Sequence, residues 1–535
     1  MQRAHASYDI IVIGGGINGA GIARDAALRQ LRVLLLDAHD FGSGTTSWSS
    51  RLIHGGLRYL EHGEIPLVYE SLHERRTLRR IAPHLVSPLR LVIPLYRGGS
   101  RAPWLVRLGM IAYDLLSLTK SLPRHRMLSR DALLGEAPGL APEGLVAGAS
   151  YFDAQVTHAE RLVIENVVAA AQAGAAVRNH APVNAIELRA DGSHRVRFRH
   201  ADGADEVASG RSVVNATGPW VDRLLALTGL ELPRLIGGTK GSHLVLPPFT
   251  DAPRDAFYVE APADGRPVFI LPWNGQYLVG TTDIRFDDDP GEARASAAEV
   301  DYLLATLNRY FPRARVRPGN VLYAYAGVRP LPYRADGPES AITRRHIIHA
   351  HTGDATGLWS VIGGKLTTYR SLARQVVDRL QRALDGGGTR CRTATTPLPG
   401  GGELPATRLA RLSCLSTAGR ERWCALYGSR AARLADLVDA EPGLGAPLDD
   451  DGSSLAAEVA FAIREEFAGN LVDIVHRRLM TGLQPDQGNA TAAAIAAVAA
   501  REFGWSEATQ AAELRRLADY NRRLREPAEA GSVLR

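Results

Sequence analysis

Two short strand-like runs, residues 9–13 and 33–36, stand either side of the turn Gly14-Gly15-Gly16-Ile17-Asn18-Gly19 and a stretch of small and apolar residues at helical spacing. The second run ends in an acid, Asp37, so the opening reads as strand, glycine turn, helix and strand-terminal carboxylate. The theme returns twice. Residues 211–218 form a strand-like run that enters a glycine turn at Thr217-Gly218, and residues 358–362 lead into Gly363-Gly364-Lys365 and a helical pattern over 366–384. Between these lie an Ala-rich helix predicted over 157–173 and a strand-rich region over 234–282, clearest at 268–271 and 277–279. A helix at 299–310 and a strand at 323–330 follow it. Residues 385–401, rich in Gly, Thr and Pro, read as a linker. Helical periodicity dominates afterwards, at 418–427, 455–466, 490–503 and 506–525, with no visible chemistry.

This pattern predicts an α/β plus α+β protein with a Rossmann-like nucleotide-binding domain assembled from discontinuous segments (8–80, 146–232 and 346–385). An antiparallel-sheet substrate domain would take 81–145 and 233–345, and a helical C-terminal domain 402–535 would follow a linker at 386–401. Gly14 would permit the tight turn, Gly16 a close backbone approach to a pyrophosphate, and Gly19 close packing of helix on strand. The pyrophosphate would meet free N–H groups at the helix start. Asp37 offers an acceptor suited to a ribose hydroxyl, which points to FAD or NAD at the adenosine end. Residues 41–50 are mostly small and hydroxylic, leaving room and hydrogen bonds for a ligand.

Composition adds bounds. At 535 residues, 45% hydrophobic and 22% charged, the chain suits two or three ordinary globular domains. Cys391, Cys414 and Cys424 have no metal-like spacing. No secretory leader and no charge-free run of about 20 apolar residues is visible, so a cytoplasmic location is expected. Net charge is +6, a balance compatible with an anionic substrate or surface. Only three of the 63 basic residues are lysine, and two of these, Lys240 and Lys365, sit beside glycines, where a compact ammonium has a use that a guanidinium fork lacks.

Five segments together carry a family resemblance: Ile13-Gly14-Gly15-Gly16-Ile17-Asn18-Gly19-Ala20-Gly21, Leu52-Ile53-His54-Gly55-Gly56-Leu57-Arg58-Tyr59-Leu60-Glu61, Val214-Asn215-Ala216-Thr217-Gly218-Pro219-Trp220, Gly327-Val328-Arg329-Pro330 and Gly363-Gly364-Lys365-Leu366-Thr367-Thr368-Tyr369-Arg370. In order and over roughly residues 8–525, they resemble the FAD-dependent, respiratory glycerol-3-phosphate dehydrogenases. The resemblance implies FAD as cofactor, oxidation of sn-glycerol 3-phosphate to dihydroxyacetone phosphate, and electron delivery to membrane quinone. Expected cofactor-binding residues are Gly14, Gly16, Gly19, Asp37, Thr45, Thr46, Ser50, Arg51, Leu52, Gly55, Gly56, Thr217, Gly218, Gly364, Lys365, Leu366 and Thr367. Expected substrate-binding residues are Arg58, Tyr59, Arg329 and Arg344, with Lys240 and Lys365.

The chemistry of these residues agrees with that expectation. Guanidinium groups suit a phosphate dianion. Arg329 is the candidate for polarising the C2 oxygen, and His54 or His243 for accepting its proton. Residues 104–118 form an amphipathic stretch with Trp104, basic flanks and many apolar positions, read as peripheral attachment to an anionic lipid surface. Alternatives are an oxygen-using glycerol-3-phosphate oxidase and a related flavin enzyme acting on a 2-hydroxy acid or secondary amine. A nucleic-acid partner is disfavoured, because the arginines are scattered among acids without a binding motif. Oligomeric state, a homodimer included, is left open.

Overall fold

The computed structural model describes residues 7–57, 60, 63–99, 101–117, 122–200, 203–335, 345–385 and 388–527. Strand Ser7–Ile13 pairs in parallel with Val33–Leu36 on one side and Asp205–Asn215 on the other. Leu358–Ile362 extends the parallel order beyond Asp205–Asn215, and Ala176–Arg178 extends it beyond Val33–Leu36. An antiparallel hairpin, Val183–Glu187 and His194–Arg199, folds onto the early half of Asp205–Asn215. Helix Ile17–Leu28 covers one face of this sheet with Ala159–Gln172 and Tyr369–Asp385. Its small residues Ala20, Ala23, Ala26 and Ala27 are buried at that contact, where small side chains let helix axes approach closely. The expected discontinuous Rossmann-like domain is present.

The second sheet runs Ile284–Arg285, Thr239–Leu246, Gln276–Gly280, Pro267–Trp273, Ala256–Glu260, Val86–Tyr96, Leu145–Val156 and Leu52–Ile53, with Tyr323–Arg329 beside Thr239–Leu246. Its pairings are antiparallel except one: Ala256–Glu260 lies parallel to Val86–Tyr96. Helix Ala297–Tyr310 packs on it, opened by a capping box between Ser296 and Glu299. The boundary expected at residue 146 needs correction. Leu145–Val156 pairs with Val86–Tyr96 from Val86 to Tyr96 and therefore belongs to the second sheet, as does Leu52–Ile53. Both strands read locally like any half-buried strand, and pairing with partners about fifty to a hundred residues away decided their sheet.

The C-terminal part is helical, with Thr417–Tyr427, Ala431–Ala440, Ala456–Arg464, Ala492–Phe503 and Glu507–Arg525 around one core. It is fastened to the nucleotide domain by buried charge. Arg161 pairs with Glu466 at 2.5 Å, and Arg430 bridges Glu466 at 2.6 Å and Glu165 at 3.1 Å. Such a network adds little net stability over an apolar contact but penalises any other docking arrangement, since each unpaired ion would be stranded. The expected linker is packed where it is described: Leu398 is buried, its N–H donates to the Ile81 carbonyl at 2.8 Å, and the Gly400 N–H donates to Glu165 at 2.7 Å.

Candidate active site

The carboxyl ends of three parallel strands deliver Gly14, Ala216 and Gly363 to one place, the position where open α/β sheets bind ligands. A cavity of about 1060 Å³ opens there and runs to the second sheet, at the upper end of the size common for ligand sites, about 300–1,000 Å³.

Its nucleotide end is built locally. Gly14 has φ of +104°, and a β-carbon there would lie 2.6 Å from the Ala216 carbonyl oxygen. Gly19 touches the turn so closely that a β-carbon would fall 1.7 Å from the Gly14 carbonyl oxygen. The Asp37 carboxylate accepts from the N–H groups of Gly15 at 2.6 Å and His39 at 2.8 Å, and burial raises its pKa to about 6. Thr46 Oγ1 accepts the Ile17 N–H at 3.2 Å, and Thr45 donates to the Val328 carbonyl at 2.7 Å, tying the hydroxylic loop to both domains. Gly16, Ser50, Leu52, Thr217, Gly218, Gly364, Lys365, Leu366 and Thr367 also line the cavity.

At the other end, Arg329 lies on strand Tyr323–Arg329. Its guanidinium donates to Asp283 at 2.9 Å and to Thr281 Oγ1 and the Thr282 carbonyl at 3.0 Å each. His243, on the neighbouring strand Thr239–Leu246, is hydrogen-bonded through Nε2 to Ser50 Oγ at 2.8 Å and stacks on Tyr325 with centroids 5.1 Å apart. Its Nδ1 is buried with no partner among the described residues. Burial, with Arg329 and Arg51 nearby, lowers its pKa to about 3. Burial lowers that of His54 to about 4, against the raising influence of Asp153. Both rings are therefore neutral acceptors throughout the physiological range. His54, His243, Arg329 and Lys365 share this cavity wall.

Three expectations are corrected. The Lys240 ammonium is buried away from the cavity, 2.8 Å from Glu299 and donating to the Arg294 carbonyl at 2.9 Å, so it anchors helix Ala297–Tyr310 instead of reaching substrate. Arg51 lines the cavity, but its guanidinium is consumed by Glu160 at 2.7 and 2.8 Å. Gly55 lies behind the wall, where its N–H meets Tyr113 Oη at 3.0 Å and Asp153 at 3.2 Å, and Gly56 follows it in the chain. Arg58, Tyr59 and Arg344 lie outside the described residues. Sequence reading missed Tyr325, although the alternation Tyr323, Tyr325, Gly327, Arg329 along one strand places it on the same face as Arg329.

Lys240→Met should accordingly lower thermal stability and leave the Michaelis constant unchanged. Breaking a buried pair costs about 3–5 kcal/mol, readable as a fall in Tm; a raised KM with normal Tm would return Lys240 to the substrate site.

The family described as "FAD dependent oxidoreductase" matches residues 9–370, and "C-terminal domain of alpha-glycerophosphate oxidase" matches residues 391–510. A glycerol-3-phosphate dehydrogenase of Synechocystis sp. is 43% identical over 520 residues, 94% of each chain. The chain belongs to the FAD-dependent glycerol-3-phosphate dehydrogenase family. Within it, similarity extends to a D-erythritol 1-phosphate dehydrogenase of Brucella abortus, 37% identical over 88% of this chain and 93% of that one. The Bacillus halodurans glycerol-3-phosphate dehydrogenase, solved with FAD, superposes with a TM-score of 0.77 at 27% identity, covering 97% of this chain and 96% of that one. As a member of this family the chain uses FAD, and the cavity suits it. A glycine cradle without side chains, a ribose-type acceptor at Asp37 and a continuous cavity reaching two histidines and a guanidinium match an adenosine diphosphate joined to a redox ring.

Proposed function

We propose that the protein oxidises sn-glycerol 3-phosphate to dihydroxyacetone phosphate, FAD supplying the acceptor for the hydride that leaves C2, and that the electrons continue to membrane quinone. The observation that carries this reading is a single cavity joining the dinucleotide cradle to Arg329, His54, His243 and Lys365. Arg329, held by Asp283 and two threonines, stabilises negative charge as it develops on the C2 oxygen. His243, its ring fixed by Ser50 at Nε2, or His54 accepts the hydroxyl proton, directly or through water. Lys365, with Arg58, Tyr59 and Arg344, binds the phosphate. The test is anaerobic bleaching of the yellow protein by glycerol 3-phosphate, repeated with D-erythritol 1-phosphate, 2-hydroxyglutarate and sarcosine, then reoxidation by ubiquinone or air. No bleaching by glycerol 3-phosphate sinks the reading, faster bleaching by the four-carbon ester shifts the substrate, and rapid reoxidation only by air replaces quinone with oxygen.

We further propose that helix Pro103–Leu116 rests on an anionic lipid surface at the cytoplasmic face of a membrane. No helix among the described residues is long and apolar enough to cross one. Trp104 is 69% exposed, Leu108 57% and Leu115 64%, while Val106, Met110 and Tyr113 on the opposite face are buried. Ile65 and Tyr69 on the adjoining helix Ile65–Ile81 are also exposed, and helix Pro103–Leu116 carries exposed Arg107 in its own sequence. An exposed apolar helix face with a basic residue beside it fits headgroups above acyl chains. The protein should float with anionic liposomes, and Leu108→Glu with Leu115→Glu should abolish flotation at unchanged flavin content; a double variant that floats as well as the parent removes this surface.

A further inference from the structure

We propose that the last helix, Glu507–Arg525, belongs to the FAD site: Tyr520 and Arg523 form the outer wall of the cofactor cavity, and an Arg523–Glu292 clasp sets how fast FAD leaves. This rests on the FAD reading of the cavity. Both family matches end before these residues, at 370 and 510, and the sequence shows only a packing helix there.

Two stripes of the helix do different things. Glu513, Leu517 and Asn521, spaced by four, face their own domain. Glu513 accepts the Leu471 N–H at 2.9 Å, Leu517 is buried, and buried Asn521 is 2.8 Å from His476 Nε2 and donates to the Gln487 carbonyl at 3.0 Å. The adjoining stripe, Arg516, Asp519, Tyr520 and Arg523, spaced by three and four, lines the cavity instead. Helical geometry thus makes one element both a part of the C-terminal core and a wall of the nucleotide site.

The wall is fastened at two places of different strength. Inside, the turn Ile474–Arg478 brings two guanidinium groups onto the buried carboxylate of Asp40, three residues after Asp37: Arg477 at 2.6 Å and Arg478 at 2.8 Å. Together they hold the Asp40 carboxyl far below the usual carboxylate range. That fastening is buried and costly to open. Outside, Arg523 donates to the Gly291 carbonyl and pairs with Glu292 at 3.0 Å in a partly exposed contact. The same loop supplies Asp289, which pairs with Arg223 at 2.8 Å and accepts from Trp220 Nε1 at 3.3 Å. Trp220, Arg223, Gly291 and Arg523 all line the cavity, so three separate stretches of chain meet at one rim. A long ligand held across the cavity leaves only when such a rim opens, and the exposed pair is the part that opens most readily.

The experiment follows FAD release from the holoenzyme by the rise of free-flavin fluorescence on dilution. Arg523→Glu, which sets two carboxylates against each other, should speed release about threefold to fivefold, the upper range of what one partly exposed ion pair can carry. Tyr520→Ala should speed it by a similar factor or more. The swap Arg523→Glu with Glu292→Arg should return the rate to within about twofold of the parent. Release at the parental rate from both single variants overturns the proposal, and a swap variant as leaky as Arg523→Glu overturns the clasp. A parent protein that is colourless and takes up no FAD overturns this and the cofactor reading together, whereas a yellow parent with unaffected variants overturns this alone.

Discussion

Arg329→Ala should lose about two to three orders of magnitude in turnover while the protein remains yellow, the loss typical when one preorganised donor to a developing oxyanion is removed. Asp283, Thr281 and the Thr282 carbonyl fix the guanidinium at the cavity wall, so its charge is preorganised there. These partners lie in the link between Gln276–Gly280 and Ile284–Arg285 of the second sheet, and the nucleotide cradle is built by the first, so flavin should stay bound when Arg329 is cut back. Arg329→Lys keeps the charge but not the fork and should fall between parent and alanine variant. The measurements are the anaerobic rate of flavin reduction by glycerol 3-phosphate and the visible absorbance surviving gel filtration. A colourless variant would assign Arg329 to cofactor retention or folding, and a parental reduction rate would remove it from the chemistry.

Gly19→Ala and Gly16→Ala should separate the two duties of the glycine turn. A β-carbon at Gly19 would lie 1.7 Å from the Gly14 carbonyl oxygen, so helix Ile17–Leu28 must move off the strand that it packs against. The core is closely filled on that helix's other side, with Ile22, Ala23 and Ala26 fully buried. Overpacking of this kind costs about 1–3 kcal/mol or more, and the displaced turn no longer presents its N–H groups; both Tm and flavin content should collapse. At Gly16 the nearest atom to an added β-carbon is Thr46 Oγ1 at 3.6 Å, an ordinary contact, so the fold should survive. Gly16 nevertheless lines the cavity, and the methyl group would stand where a pyrophosphate must approach. Gly16→Ala should therefore give a folded protein with weak FAD affinity, measured by titrating the apoprotein. Equal thermal stability of the Gly19→Ala variant and the parent would refute the packing argument.

The nucleotide cradle was legible because its parts are close in sequence. Gly14, Gly16, Gly19 and Asp37 lie within one strand-turn-helix-strand unit, where backbone geometry alone dictates which residue types fit. The strand-and-glycine-turn pattern found Thr217, Gly218 and Gly364 in the same way, since parallel strands bring their carboxyl ends to one edge. Lys240 shows where this stops. Its rarity in an arginine-rich chain marked a special environment, yet Glu299, fifty-nine positions later, decided that the environment is a buried ion pair. For Arg51 the partner is Glu160, and for Leu145–Val156 it is Val86–Tyr96.

The amino-acid order by itself determined the dinucleotide fold and the family, and marked candidate guanidinium and imidazole groups for the reaction, because each of these is written in short-range spacing and residue type. Only the tertiary structure decided which cations remain at the cavity once buried carboxylates have claimed the rest, and that a helix with no local sign of chemistry lines that cavity with Tyr520 and Arg523. Those outcomes depend on charge neutralisation and close packing between segments far apart in the chain, and local periodicity carries no record of such partners.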